Sequence, residues 1–177
     1  MAFDIADIVK PAGGNAPGMS EELLVCIKQE VLVFPSVITY AVPGDTLRLD
    51  GDITFDTGDG FVKIYTTKDT VQLMLKKVGQ KDSRGWNAEL PFFCPGLNAP
   101  FAEMLTEDPD LVVLAKKPDC EGTEYICLGT SCRGVEISGD FDSSLANDES
   151  GRHGWSGMIQ GYLPKFYYYT GEVTLKP

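Results

Sequence analysis

One imidazole, that of His153, is present in the whole chain. Arg152 and Gly154 flank it, and Asp148 and Glu149 stand a few residues back, so acidic partners are near for a general base or a Cys-His nucleophile. No motif surrounds it, however, and the polar, glycine-rich stretch ESGRHGWSG reads as an exposed loop. The five cysteines, Cys26, Cys94, Cys120, Cys127 and Cys132, are the other candidate nucleophiles or ligands. Their number is odd, no C-x-x-C occurs, and the spacing of the last three matches no zinc knuckle or ribbon. They read as buried free thiols in a reducing compartment. The carboxylate pairs Asp50/Asp52 and Asp140/Asp142 have the alternate spacing that puts both members on one strand face, suited to Ca2+ or to acid-base work. Neither lies in an EF-hand or another complete ligand set, so solvated strand faces and turns are the expectation. Gly13-Gly14 lacks the Lys-Ser/Thr of a phosphate loop, and neither G-x-S-x-G nor H-E-x-x-H occurs. The chain is expected not to be an enzyme and to hold no cofactor or metal.

The elements available to position these groups are strands. Leu47, Leu49, Ile53 and Phe55 alternate with Arg48, Asp50, Asp52 and Thr54, which predicts one long half-buried strand with a bend or bulge at Gly51. Val71, Leu73 and Leu75 alternate in the same way, as do Trp155, Gly157 and Ile159. Short apolar runs at Leu23–Ile27, Leu111–Leu114, Tyr125–Leu128 and Val135–Ile137 add further strands, and FYYYTGEVTL reads as a last strand pair. Turn signals at Pro43-Gly44-Asp45, Thr57-Gly58-Asp59-Gly60 and Lys81–Gly85 separate them. The fold class predicted is mainly β, a sandwich or barrel. One short flanking helix interrupts it at about 99–106, with Asn98 as N-cap, Pro100 in the first turn and Phe101, Met104 and Leu105 as the apolar stripe. It is too short to stand alone and must pack on the sheet. Ahead of the strands, KPAGGNAPGM reads as an extended arm. The organisation expected is a flexible N-terminal assembly arm over residues 1–19 and a single β-rich domain over 20–177.

A length of 177 residues suits one sizeable core, and 43% hydrophobic with 10% aromatic residues excludes a wholly disordered chain. No apolar run is long enough to span a membrane. MAFDIADIVK lacks the basic and apolar regions of a signal peptide, so an intracellular product, or one released by lysis, is expected. The net charge is −11. That excludes gripping of nucleic-acid phosphates, which needs clustered cations, but permits a non-adhesive surface for a polyanion. Tyr167-Tyr168-Tyr169, with Phe166 and Trp155, could form an aromatic glycan platform. On a strand, Tyr167 and Tyr169 share one face and Tyr168 takes the other, so one side is core.

Four stretches, in order, give the chain a wider resemblance. They are the Pro-Ala-Gly-Gly-Asn-Ala-Pro-Gly arm at 11–18, a strand pair over Gly51–Lys77, and Gly-Trp…Phe-Phe-Cys-Pro-Gly-Leu-Asn at 85–98 leading into the helix. The fourth is Asp110-Leu-Val-Val-Leu before Gly129-Thr, with a Gly-Arg-His-Gly-Trp turn opening a late strand. In this ordering the sequence resembles tail-tube and related structural proteins of tailed phages, particularly those of Bacteroidetes phages and prophages. The resemblance implies a non-enzymatic virion protein, assembled in the host cytoplasm. It implies a homo-oligomeric ring, often a hexamer, that stacks and meets other virion proteins while DNA passes without specific binding. Subunit contacts would then come from strand edges and from the arm residues Phe3, Ile5, Ile8, Val9, Pro11, Gly13 and Gly14. Asp50, Asp52, Asp56 and Asp59 would be lumen-facing. A tail terminator, neck or decorating protein, a β-sandwich module for glycans or a host surface, and a small hydrolase using His153 are the alternatives.

Overall fold

The computed structural model describes residues 21–38, 45–67, 70–116, 124–142 and 153–177. The strands in chain order are β1 (Glu21–Ile27), β2 (Val31–Val33), β3 (Ser36–Val37), β4 (Leu49–Asp50), β5 (Thr54–Phe55), β6 (Val62–Thr66) and β7 (Met74–Val78). They continue with β8 (Gly85–Pro95), β9 (Leu111–Lys116), β10 (Tyr125–Leu128), β11 (Glu136–Asp142), β12 (Gly154–Leu163) and β13 (Tyr167–Tyr169), and among the described residues one α-helix, α1 (Ala99–Glu107), follows β8. A five-stranded sheet has the order β13-β10-β9-β1-β6 and a four-stranded sheet the order β11-β12-β8-β7. All pairings in both are antiparallel. Two ribbons, β2 with β5 and β3 with β4, stand apart.

The sequence dictates this layering through two runs without polar interruption. In β1, Leu23, Val25 and Ile27 enter the core between the two large sheets, while Leu24 and Cys26 enter a second core on the opposite side. In β9, Leu111, Val113 and Ala115 likewise face the first core, and Val112 and Leu114 the second. Strands apolar on both faces must be covered on both. The four-stranded sheet covers one face and the ribbons, with Tyr169, Ile53 and Phe61, cover the other. The fold is thus a β-sandwich carrying a third, thinner layer, and its two large sheets stay separate rather than closing into a barrel.

The strand-then-helix stretch at 86–105 has a clear physical basis. Ala88, Leu90, Phe92 and Cys94 of β8 point alternately into the first core, and Phe101 and Met104 of α1 are buried there too. Asn98 occupies the N-cap, but its side chain does not cap the helix. Its Nδ2 donates instead to the Pro95 carbonyl at 3.2 Å and to Cys94 Sγ at 3.4 Å, tying the helix start to the strand it has just left. At the other end Asp108 adopts a left-handed conformation and its N–H reaches Met104 O at 3.1 Å, closing the helix. Phe101 meets Phe92 edge-on at 5.9 Å.

Three expectations are corrected. The long strand over 47–55 is two short ones: β4 pairs with β3 and β5 with β2, because Gly51 takes φ +105° and turns the chain between them. Alternation survives on both sides of the turn, with Leu49 and Ile53 buried, although the partner strand changes. Gly51–Lys77 is not a strand pair, since β5, β6 and β7 lie in three different sheets. FYYYTGEVTL contains one strand, β13, after which the chain crosses the ribbon layer and bridges Phe61 through Leu175 in parallel.

Gly157 shows how tightly helix and sheet are fitted. It lies opposite Phe92 in the ladder, and a Cβ there would approach the Phe92 ring to 2.3 Å. Gly157→Ala should push that ring toward Phe101 and cost roughly 1–3 kcal/mol, read as a lower urea midpoint at unchanged slope. An unaltered midpoint would show that the ring has room to swing.

Candidate functional site

An open cleft of about 1000 Å3 lies where the turn after β1, the Asp56–Asp59 turn and the corner after α1 converge. Glu30, Asp56, Asp59, Glu107, Asp108 and Asp110 line it, with Lys176 as the cation among its lining residues. Lys176 Nζ lies 3.5 Å from Glu30 and 3.6 Å from Asp59, and Lys28 pairs with Asp110. Of the four carboxylates expected at a lumen, Asp56 and Asp59 are brought to this cleft. Asp50 and Asp52 stay outside it, and Asp52 accepts a hydrogen bond from the Glu172 N–H at 2.7 Å. All four belong to the ribbon layer or its turns, on the far side of the five-stranded sheet from the four-stranded one. Glu30, Glu107, Asp108 and Asp110 joined this set unforeseen, because the elements that carry them are distant in sequence. No group of His, Cys, Asp and Glu suited to a metal ion occurs among the described residues.

His153 is exposed, as expected, with its ring edge-on to Phe141 at 5.4 Å. Cys26, Cys94 and Cys127 are buried free thiols. Burial pushes the Cys94 thiol up to about 11 and the Cys127 thiol to about 12, and raises Cys26 further still. A thiol so raised is protonated at neutral pH and is no nucleophile. Cys132 departs from the buried reading: it is exposed in the turn after β10, where Thr130 Oγ1 accepts the Cys132 and Arg133 N–H groups. Cys120 and the arm residues Phe3, Ile5, Ile8, Val9, Pro11, Gly13 and Gly14 lie outside the described residues. The aromatic run builds core rather than a platform. Tyr169 is fully buried, Tyr167 packs with it on the second core, and Phe166, Tyr168 and Trp155 pack on the first.

The edges of the two sheets are treated differently. On the five-stranded sheet, β13 is bridged through Tyr168 to Arg48, and the start of β6 through Phe61 to Leu175. On the four-stranded sheet, β7 pairs on its outer edge with no other strand among the described residues, and β11 is bridged just before its start, through Val135 to Leu111, while Glu136–Asp142 pair only with β12. Lys76 and Lys77 lie on β7, and Lys81 and Arg84 on the exposed turn that joins it to β8. Lys76 is engaged with Glu89 at 2.7 Å. Glu136, Asp140 and Asp142 lie on β11, all exposed on the sheet's outer face. One edge is basic and the other acidic. The lysine pair at 76–77 and the alternating acids of β11 are visible in the sequence, but strand order alone makes them the two ends of one sheet.

Comparison of the chain with family models, with curated proteins and with solved structures returns no match. Among the described residues no helix is long and apolar enough to cross a membrane.

The raised thiols, together with the Tyr169 phenol that burial also raises, define a pH response. Unfolded, the thiols ionise near their ordinary 9.0, whereas folded they keep their protons until about 11 and beyond. Above pH 9 the unfolded state therefore binds fewer protons, and stability falls with pH. Urea midpoints should be level from neutrality to about pH 9 on this account and decline steadily above it. A midpoint that holds to pH 11 would contradict the assignment.

Proposed function

We propose that this is a non-enzymatic, self-assembling structural protein, a tail-tube-like ring protomer of a virion, and that its rings close through the four-stranded sheet. The observation that carries the reading is the complementarity of that sheet's two edges. Three successive antiparallel pairings separate β11 from β7, so these two strands run opposite to each other. A copy rotated about an axis along the strands keeps its strand directions and brings its own β11 antiparallel to the neighbour's β7. The ladder then continues from subunit to subunit, acid against base, as a head-to-tail contact that closes when the rotation allows.

This geometry also selects the wall of the conduit. The first core and the five-stranded sheet fill one side of the four-stranded sheet, and the narrower inside of a ring cannot hold that bulk. The free face would line the passage. Because Leu90 and Ile159 pair facing the core, the alternate residues Glu89, Gln160 and Glu136 face outward, with Asn87, Ser138, Asp140, Asp142 and Ser156. The same face also presents Met74, Lys76, Pro91, Met158 and Tyr162, with Lys76 paired to Glu89, so the wall is mixed but carries more carboxylates than ammonium groups and would repel phosphate rather than grip it. Lumen-facing roles fall on Glu89, Glu136 and Asp140 in this arrangement, and Asp50, Asp52, Asp56 and Asp59 take the outer layer.

Sedimentation velocity and negative-stain electron microscopy of the purified protein test the edge contact. Wild type should form rings or stacked rings. Lys77→Glu/Lys81→Glu and Glu136→Lys/Asp140→Lys should each remain monomeric, while the four changes in one chain should restore rings. Unimpaired assembly by both pair variants would exclude these edges. Monomers in every form would remove the ring reading, and a glycan array would then be the next measurement.

A further inference from the structure

We propose that residues Gly171–Lys176 form a latch that holds the ribbon layer shut as a lid over the second core, and that this lid opens as a unit while the sandwich stays folded. The segment is held mainly by its backbone. Tyr169 Oη takes the Ile53 N–H at 3.1 Å and donates to the Glu172 carbonyl at 2.6 Å, and Asp52 accepts the Glu172 N–H. Phe61 N–H reaches the Thr174 carbonyl at 2.9 Å, and Lys176 N–H returns to the Phe61 carbonyl at 3.0 Å. Gly60 leaves room for this crossing, since a Cβ there would lie 2.7 Å from Lys176 N. At the tip, the Lys176 ammonium sits between Glu30 and Asp59, with only 11% of its side chain exposed.

What the latch closes is the least self-sufficient part of the molecule. Ribbon strands of two or three residues do not persist alone. Their cover over Leu24, Cys26, Leu114 and Cys127 is fixed by the latch, by Ile53 and by Phe61. Low local stability of this kind produces opening below the global unfolding free energy. The hydrogen bonds and ion pairs named above join the latch to the ribbon layer, to β13 and to the approach to β6 rather than to the four-stranded sheet, so the lid is tested separately from ring closure.

The cysteines report the two cores separately. Cys26 and Cys127 lie in the second core, Cys94 in the first, and Cys132 is exposed. Thiols react as thiolates, so the buried ones react only when their core opens. Alkylation with N-ethylmaleimide, mapped residue by residue by mass spectrometry, should mark Cys132 at once, Cys26 and Cys127 next and together, and Cys94 last. Lys176→Glu sets a third carboxylate between Glu30 and Asp59 and should speed Cys26 and Cys127 about tenfold while leaving Cys94 unchanged. Should that variant fold poorly, wild type in sub-denaturing urea serves instead. There Cys26 and Cys127 should show a shallower urea dependence than Cys94, because the opening exposes less surface. Equal rates and equal urea slopes for all three buried cysteines would overturn the lid, as would a folded Lys176→Glu with unchanged Cys26 and Cys127 rates.

Discussion

The five-stranded sheet is apolar on both faces, and the rest of the molecule answers that constraint. Burial of apolar surface yields about 25 cal/mol per Å2, so the exposed second face of β1 and β9 would forfeit several side chains' worth of stabilisation. Leu24, Cys26, Val112 and Leu114 therefore require a cover as much as Leu23, Val25, Leu111 and Val113 do. The cover on one side is a proper sheet with a helix docked at its flank. On the other it is two scraps of ribbon, which have almost no stability of their own. Their hold comes from outside: the Tyr169 hydroxyl, buried at the end of β13, bonds the Ile53 N–H and the Glu172 carbonyl together.

How much of this the sequence discloses follows from the range over which each signal acts. The apolar runs at Leu23–Ile27 and Leu111–Leu114 are strands, and their unbroken character is the mark of strands covered on both faces. The helix at Ala99–Glu107 was legible for local reasons, Asn98 and Pro100 at its start and the Phe101/Met104 stripe. The split at Gly51 was only half legible: alternation announces which residues face inward, and it is blind to which strand supplies the hydrogen bonds. The segment after Tyr169 misled for the same reason. Val173 and Leu175 alternate like a strand, yet the bridge formed there is a single one, Leu175 to Phe61, made by the Thr174 carbonyl and the Lys176 N–H. The candidate surfaces were least legible of all, because an edge or a cleft is defined by elements far apart in sequence. Lys77 and Glu136 become opposite ends of one sheet only once the order β11-β12-β8-β7 is known.

Charge gives the edges their meaning. A chain of net charge −11 repels its own copies, so association needs a place where the local sign differs from the total. The β7 edge and its turn, with Lys76, Lys77, Lys81 and Arg84, supply a concentration of positive charge, and the acids of β11 face it from the other end of the sheet. At physiological ionic strength the screening length is about 8 Å. Repulsion between whole protomers, acting over tens of ångströms, is then largely removed, whereas charges brought within a few ångströms across a strand pair are screened far less. Moderate salt should thus weaken what keeps copies apart more than what joins them. Backbone pairing, which carries no net charge, would supply the remainder of the proposed contact. In the proposed ring, a wall that does not hold a polyanion and an acidic protomer that still finds its neighbours would be compatible demands on one sheet: its face would meet the first and its edges the second.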